Sequence, residues 1–328
     1  MRTQKYVNTS NVPLSLAVFL ASDSYDYSDD DNTLSATALI KPLRQLVLSN
    51  RVNAEDTVTD LIGMLQSRMG SAIHDAIERA WKTNHKEALK ILGYPPSIIE
   101  RIRINPTQEE LISGVIPVYM EQRASRKVGK YTISGKFDFI GDGRVEDFKS
   151  TSVFTAINNI NDEKYILQGS IYRWLNPLLI TKDEMAIQFI FTDWSAARAR
   201  SEANYPQQRT MQRLLPLKSV QETDVFIRRK LALLDQYWDA PEADIPHCTD
   251  DELWRSAPVF KYYKNPTKMT RSTKNYDTQQ EAFMRKAEDG NVGVVIEQPG
   301  QVTACKYCAA FSACSQKDTL IATGDLQL

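Results

Sequence analysis

No apolar run in this sequence is long enough to cross a bilayer. The most apolar stretch, VPLSLAVFLA, is ten residues, where a spanning helix needs about twenty. That run also lacks the basic flank and the cleavage site of a secretory signal, so it reads as a core element and the chain as cytoplasmic. Charge of one sign is missing as well: 40 Lys and Arg against 41 Asp and Glu leave a formal net charge of −1. No global field therefore draws the chain to nucleic acid, and any such partner must be met by a local patch. Internal repeats and low-complexity tracts are absent, and so is a Gly-x4-Gly-Lys-Ser/Thr loop. Cysteine is missing from the first 247 residues; all four (Cys248, Cys305, Cys308, Cys314) lie in the C-terminal quarter. In a reducing compartment such a cluster is more often a metal site than a set of disulfides.

What is present suits a soluble globular enzyme. A chain of 328 residues buries a full core in one large or two modest domains. The acidic SDSYDYSDDD reads as an exposed loop or hairpin tip. LSATALIKPLRQLVLSNR reads as a helix with Ser35 as N-cap. From Thr57 to Leu89, Leu61, Ile62, Leu65, Met69, Ile73, Ile77 and Trp81 recur at helical spacing, and Pro95-Pro96 breaks the stretch that follows. Val115 to Phe148 alternates as strands of a largely buried sheet, KYILQGSIYRWLNPLL is a helix closed at Asn176-Pro177, and AIQFIFTDW is a central strand. A further helix runs from about Val220 to Tyr237. The expected division is 1–240, with a motif core at about 70–195, and a basic, aromatic and Cys-rich region at 241–328 packed on it.

The stretch GKFDFIGDGRVEDFKSTS, Gly135 to Ser152, raises a physical question. Charges on buried strands are expensive unless paired or bound to something. By strand alternation Val145, Asp147 and Lys149 share a face, while Glu146 points away and is excluded from the site. A tight Gly-Asp-Gly turn brings Asp138 beside Asp147. Two carboxylates at close range repel unless a cation lies between them, and hard oxygen ligands select magnesium or manganese. Lys149 would then orient water and offset charge on the pentavalent phosphorane. The bland alternative is a solvated hairpin with a surface salt bridge.

Asp138 followed by Asp147-Phe148-Lys149 resembles the PD-(D/E)XK nuclease motif, in its RecB-like branch. The resemblance implies a restriction-endonuclease-like α/β (α+β) fold, a mixed central sheet flanked by helices. It also implies that Phe148 lends its backbone carbonyl to the ion. Gly70-Ser-Ala-Ile-His74 matches the upstream histidine of that branch, making His74 a metal ligand with Asp138 and Asp147. Gln168-Gly-Ser-Ile-Tyr172 matches its Gln-x3-Tyr, implying that Gln168 and Tyr172 lie near the site, contacting DNA or supporting its carboxylates; simple packing on the sheet is the alternative. Glu121 resembles a common acidic position before these strands, as a supporting catalytic residue or a salt-bridge partner.

Cys305, Cys308 and Cys314 form a Cys-x2-Cys-x5-Cys array, which Cys248 completes most naturally. Sulfur ligands favour an iron–sulfur cluster or zinc over magnesium, and free buried cysteines are the alternative to any centre. The spacing resembles that of iron–sulfur nucleases of the AddB type, which implies a structural [4Fe–4S] cluster, with Zn2+ as the alternative. The chain departs from that pattern because no cysteine precedes His74; LSATALIKPLRQLVL has leucine where one is expected.

Two basic patches are candidate DNA contacts. One is Lys261, Lys264, Lys268, Arg271 and Lys274 interleaved with Tyr262, Tyr263 and Tyr276; the other is Arg198, Arg200 and Arg209. A solvated loop with core tyrosines is the alternative for the first. The layout, including PHCTDDELW and PGQVTACKYC, is similar to stand-alone bacteriophage exonucleases. The resemblance implies a metal-dependent DNA exonuclease in the host cytoplasm, acting nonspecifically from ends in recombination, replication or host DNA breakdown. With no P-loop, unwinding would fall to a helicase or recombination partner, and an oligomer is compatible with the sequence. A structure-directed endonuclease and a non-catalytic DNA-binding module with a structural cluster remain the alternatives.

Overall fold

The computed structural model describes residues 5–22, 32–52 and 58–328. The acidic stretch expected as an exposed loop lies, beyond its first residue, outside the described residues. The chain divides into two compact units, Met1–Ile40 with Ala54–Ala232, and Lys41–Asn53 with Leu233–Leu328. The segment Lys41–Asn53, assigned from sequence to the first domain, is thus grouped with the C-terminal residues.

The first unit opens with β1 (Lys5–Val7), α1 (Leu14–Ala21), β2 (Thr33–Ser35) and α2 (Ala36–Leu39). The apolar run VPLSLAVFLA forms α1, but it is less buried than a core element. Only Val12 and Leu20 are buried, while Leu14, Leu16, Val18 and Phe19 are exposed. Ser35 caps α2 as expected, its side chain accepting from the Ala38 amide. The single helix expected here is split, however, because Pro42 cannot continue it; α3 (Leu43–Ser49) follows as a separate helix of the second unit. The first unit resumes with β3 (Val58–Asp60), the long α4 (Leu65–Ile91), α5 (Pro96–Ile99), β4 (Ile102–Ile104), β5 (Ile116–Val128), β6 (Tyr131–Gly141) and β7 (Arg144–Thr151). Then come α6 (Val153–Ile157), α7 (Asp162–Leu175), β8 (Glu184–Phe191), α8 (Ala196–Ser201), β9 (Thr210–Pro216) and α9 (Val220–Tyr237), whose last residues are counted with the second unit.

The central sheet is mixed, as the sequence predicts. Its order is β4-β5-β6-β7-β8-β9, with β2 parallel on β6. β5, β6 and β7 are antiparallel neighbours, β8 runs parallel to β7, and β9 closes antiparallel on β8. The β6–β7 connection is a two-residue turn, Asp142 at φ 49° and Gly143 at φ 73°, the doubly left-handed geometry that matches strand twist. Two helices flank the sheet. Ile77, Trp81 and Leu89 of α4 pack on one face with Ile99, Ile102, Val118, Met120 and Phe139. On the other, Tyr165 of α7 meets Phe189 of β8.

The second unit has a three-stranded antiparallel sheet, β10 (Val259–Tyr263) between β11 (Lys274–Tyr276) and β12 (Val294–Gln298), with α10 (Gln279–Glu288) and a final α11 (Ser315–Ala322). A separate core of Leu253, Val302, Leu320 and Leu326 packs against Cys248, Cys305 and Phe311. Among the described residues no helix is long and apolar enough to cross a membrane.

Candidate active site

Three carboxylates fall in a row across three strands. Met120 pairs with Phe139 and Gln122 with Phe137, which sets Glu121 opposite Asp138. The β6–β7 ladder ends at Phe139 and Glu146, so the next position sets Asp138 opposite Asp147. Like charges directly across strands are destabilising. The sheet is also irregular here. Glu121 has φ 50°, a conformation that a residue with a long side chain rarely adopts and that costs free energy, as backbones at functional sites often do. Side-chain alternation on β6 breaks at the same place. A Cβ on Gly135 would meet Tyr172 and Leu175 of α7, yet Phe139, four residues on, packs against Trp81 of α4.

The break lets side chains into the sheet. The Phe148 amide donates to Asp138 Oδ2 at 2.9 Å, and the Phe148 carbonyl lies 2.9 Å from His74 Nε2. With Nε2 donating to that carbonyl, Nδ1 is the nitrogen that a neutral imidazole would offer to a cation. Nδ1 faces Asp138 Oδ1 at 3.5 Å and Glu121 Oε1 at 3.8 Å. These three residues offer ligand atoms within 4.8 Å of one another. Among the described residues this is the group with metal-binding geometry. Lys136 pairs with Glu121 at 2.6 Å.

Asp147 lies beside them, 2% exposed. Lys149 Nζ pairs with its Oδ2 at 2.6 Å, and the charge of Asp138 is felt at the same carboxylate. Asp147 is not among the residues whose ligand atoms converge within 4.8 Å. Burial pushes Asp147 up, Lys149 pulls it down, Asp138 adds to the rise, and the outcome is about 6. Burial works against the charge on His74, but hydrogen bonds to Asp138 and Glu121 and the charges of Asp138 and Asp147 outweigh it and raise the imidazole to about 10. Burial likewise opposes the Lys149 ammonium, and Asp147 and Asp138 overcome it and raise its pKa. The protonated His74, Lys136 and Lys149 supply the positive charge beside the acids.

Gln168 and Tyr172 are buried on α7, and the Gln168 amide donates to the Tyr172 hydroxyl at 2.7 Å. The Tyr172 ring lies against Gly135 of β6. Glu146 faces away, bonded to Arg144 and Gln188. Two neighbours of the acids were not singled out from sequence. Tyr165, whose ring lies 5.6 Å from Lys149 Nζ, is one helical turn before Gln168, a spacing that marks a shared face. Lys136 alternates with Asp138, a pattern too common to signal alone.

In the second unit Cys248, Cys305, Cys308 and Cys314 line one cavity with Arg44 and Phe311. Gln316 holds Cys248 by both main-chain groups, at 2.9 Å each. Burial, then Glu252, Cys314 and Cys308, pushes the Cys248 thiol up to about 12; burial also raises Cys305 and Cys308. Of the aromatic residues expected to stack on bases, Tyr262 and Tyr263 are buried. The Tyr262 hydroxyl bonds Asp289 and the Val292 carbonyl, the position of a core tyrosine. Lys264, Lys268, Arg271 and Lys274 are exposed around the β10–β11 connection. In the other patch Arg198 is occupied by Glu202 and Tyr205, and Arg209 lies over Trp194.

No family model and no curated protein matches the chain. Among solved structures it is similar to SSO0001, at 14% identity and a TM-score of 0.39 over 64% of this chain and 80% of that one. It is also similar to a phage-related exonuclease from Haemophilus somnus 129PT, at 15% identity and a TM-score of 0.26 over 41% of this chain. The chain spans 65% of that exonuclease's length, and both likenesses are distant ones.

Proposed function

We propose that this chain is a divalent-metal-dependent nuclease of the RecB-like PD-(D/E)XK type that hydrolyses DNA from its ends. The observation that carries the reading is the convergence of His74 Nδ1, Glu121 and Asp138 within 4.8 Å beside the buried Asp147–Lys149 pair. One imidazole and hard carboxylates suit Mg2+ or Mn2+. His74, Glu121 and Asp138 would hold the ion, with Asp147 paired to Lys149 beside Asp138; the Phe148 carbonyl fixes the imidazole through Nε2. Such an ion supplies Lewis-acid charge to a phosphoryl oxygen. Lys149, kept as an ammonium by its acidic neighbours, orients water and offsets charge on the phosphorane. The exposed lysines and Arg271 near β11 offer sequence-independent contacts to phosphates. The order of motifs extends the reading to a phage-type exonuclease of recombination, replication or host DNA breakdown.

All four cysteines line one cavity, which lets them serve a single centre. Sulfur ligands favour a [4Fe–4S] cluster, in a structural role, with Zn2+ as the alternative.

Digestion of end-labelled linear DNA beside covalently closed circles tests the reading. Linear DNA is degraded with Mg2+ or Mn2+ and spared with chelator, while circles survive. Cut circles turn the reading to an endonuclease, and a protein inert on both substrates with either metal overturns catalysis.

A further inference from the structure

The cysteine cavity contains a buried positive charge whose aim is specific. Arg44, at the start of α3, is 2% exposed, and its Nε–H donates to Cys314 Sγ at 3.2 Å. One terminal nitrogen donates to the carbonyls of Ile245 at 2.7 Å and Glu242 at 3.3 Å; the other is ion-paired with the Glu242 carboxylate. Glu242 in turn accepts from the amide and hydroxyl of Ser315 at 3.1 and 2.9 Å, the residue that follows Cys314. The guanidinium therefore touches Cys314 itself, and its counter-ion Glu242 holds the next residue, Ser315.

A guanidinium keeps its protons inside proteins, so the sulfur must be the acceptor in this contact. Neutral thiols accept weakly, whereas thiolates in a cluster accept strongly and set its electronics. Neutralising Arg44 needs only Glu242; pointing Nε at sulfur is useful when that sulfur is negative. Two further cations lie close: Lys317 lines the cavity, and the charge of Lys41 is felt at Cys308. Four thiolates outweigh the charge of an iron–sulfide core, and the directed charge of Arg44 partly offsets that excess.

We propose that Arg44 is a positioning residue for the cysteine centre, fixing Cys314 through an N–H···S bond and offsetting the negative charge of a bound cluster. This rests on reading the cysteines as iron–sulfur ligands. The full-length protein is reconstituted anaerobically with ferrous iron and sulfide. Iron per chain, visible absorption and midpoint potential are then measured for the wild type, Arg44→Lys and Arg44→Gln. Arg51→Gln is the control, because Arg51 is on the turn after α3 and its side chain bonds, among the described residues, the main-chain carbonyls of Tyr237, Trp238 and Ala240. Losing the bond and its directed charge moves the potential to more negative values and shortens the life of the visible band in air several-fold. Arg44→Lys, which keeps the charge, still takes up iron, and Arg51→Gln changes neither property. Arg44 variants with wild-type potential and air lifetime, even if less stable to denaturant, overturn this role and leave the cluster standing. A wild type that takes up no iron overturns the cluster reading and this inference together.

Discussion

At the residue scale, the acids, His74 and Lys149 act as one electrostatic unit, and each makes a separate prediction. If the proposed mechanism holds, replacing Lys149 by alanine lowers kcat by about 10²–10³-fold, with smaller change in KM, in steady-state kinetics on linear DNA. The pH dependence of the metal-free protein follows from two raised pKa values. Asp147 goes from 3.8 to about 6 and His74 from 6.5 to about 10. A folded-state pKa above the unfolded one gives stability that is complete below the unfolded value and lost as pH rises through the folded value. Stability from this site therefore falls as pH rises from about 4 to about 10. Denaturant titrations of metal-free wild type and His74→Gln check it: the variant loses the alkaline limb. Binding a divalent ion displaces those protons, so affinity for Mn2+ rises with pH over the same window. Asp138, Asp147 and Lys149 could be grouped from sequence because period-two alternation and a Gly-containing turn are local signals, whereas His74 entered only through the resemblance to the Gly-x3-His of the RecB-like branch. Arg44 was not, because its partners Glu242, Ile245 and Cys314 are some two hundred residues or more away and no spacing announces them.

At the scale of elements, the β6–β7 hairpin sets the register that lines up Asp138 with Asp147. A Cβ on Gly143 would come 2.2 Å from Thr181 Oγ1, at a backbone φ of 73°. Gly143→Ala therefore costs about 1–3 kcal/mol, measured as a shifted urea midpoint, and activity falls only as far as the register is lost. The strands, α4, α7 and α9 were readable because their apolar periodicity is strong and their ends carry breakers such as Asn176-Pro177. The split at Pro42 was open to the same reasoning, since proline removes a donor inside a helix, and was passed over. The break at Glu121 was not legible: a left-handed residue inside a strand leaves no mark in the hydrophobic pattern. It is where the backbone departs from sheet geometry that Glu121 comes to face the imidazole. α1 misled for the opposite reason, being apolar all round with only one side covered among the described residues.

At the scale of the whole molecule, the acidic site and the cysteine centre belong to different compact units, and each has its own core. Loss of one is therefore separable from loss of the other. Asp147→Ala abolishes cutting and leaves iron content unchanged, whereas Cys308→Ala loses the iron and lowers the thermal midpoint, because a centre with four ligands contributes folding free energy. Iron analysis, absorption spectra and melting curves on the two variants distinguish these outcomes. The most direct test of the central claim is a manganese-binding titration, followed by electron paramagnetic resonance, on wild type, His74→Ala and Asp138→Asn. The wild type binds an ion whose signal reports nitrogen coordination, and both variants lose at least about tenfold in affinity. Unchanged binding in both variants, or a bound ion without nitrogen coordination in the wild type, contradicts the account.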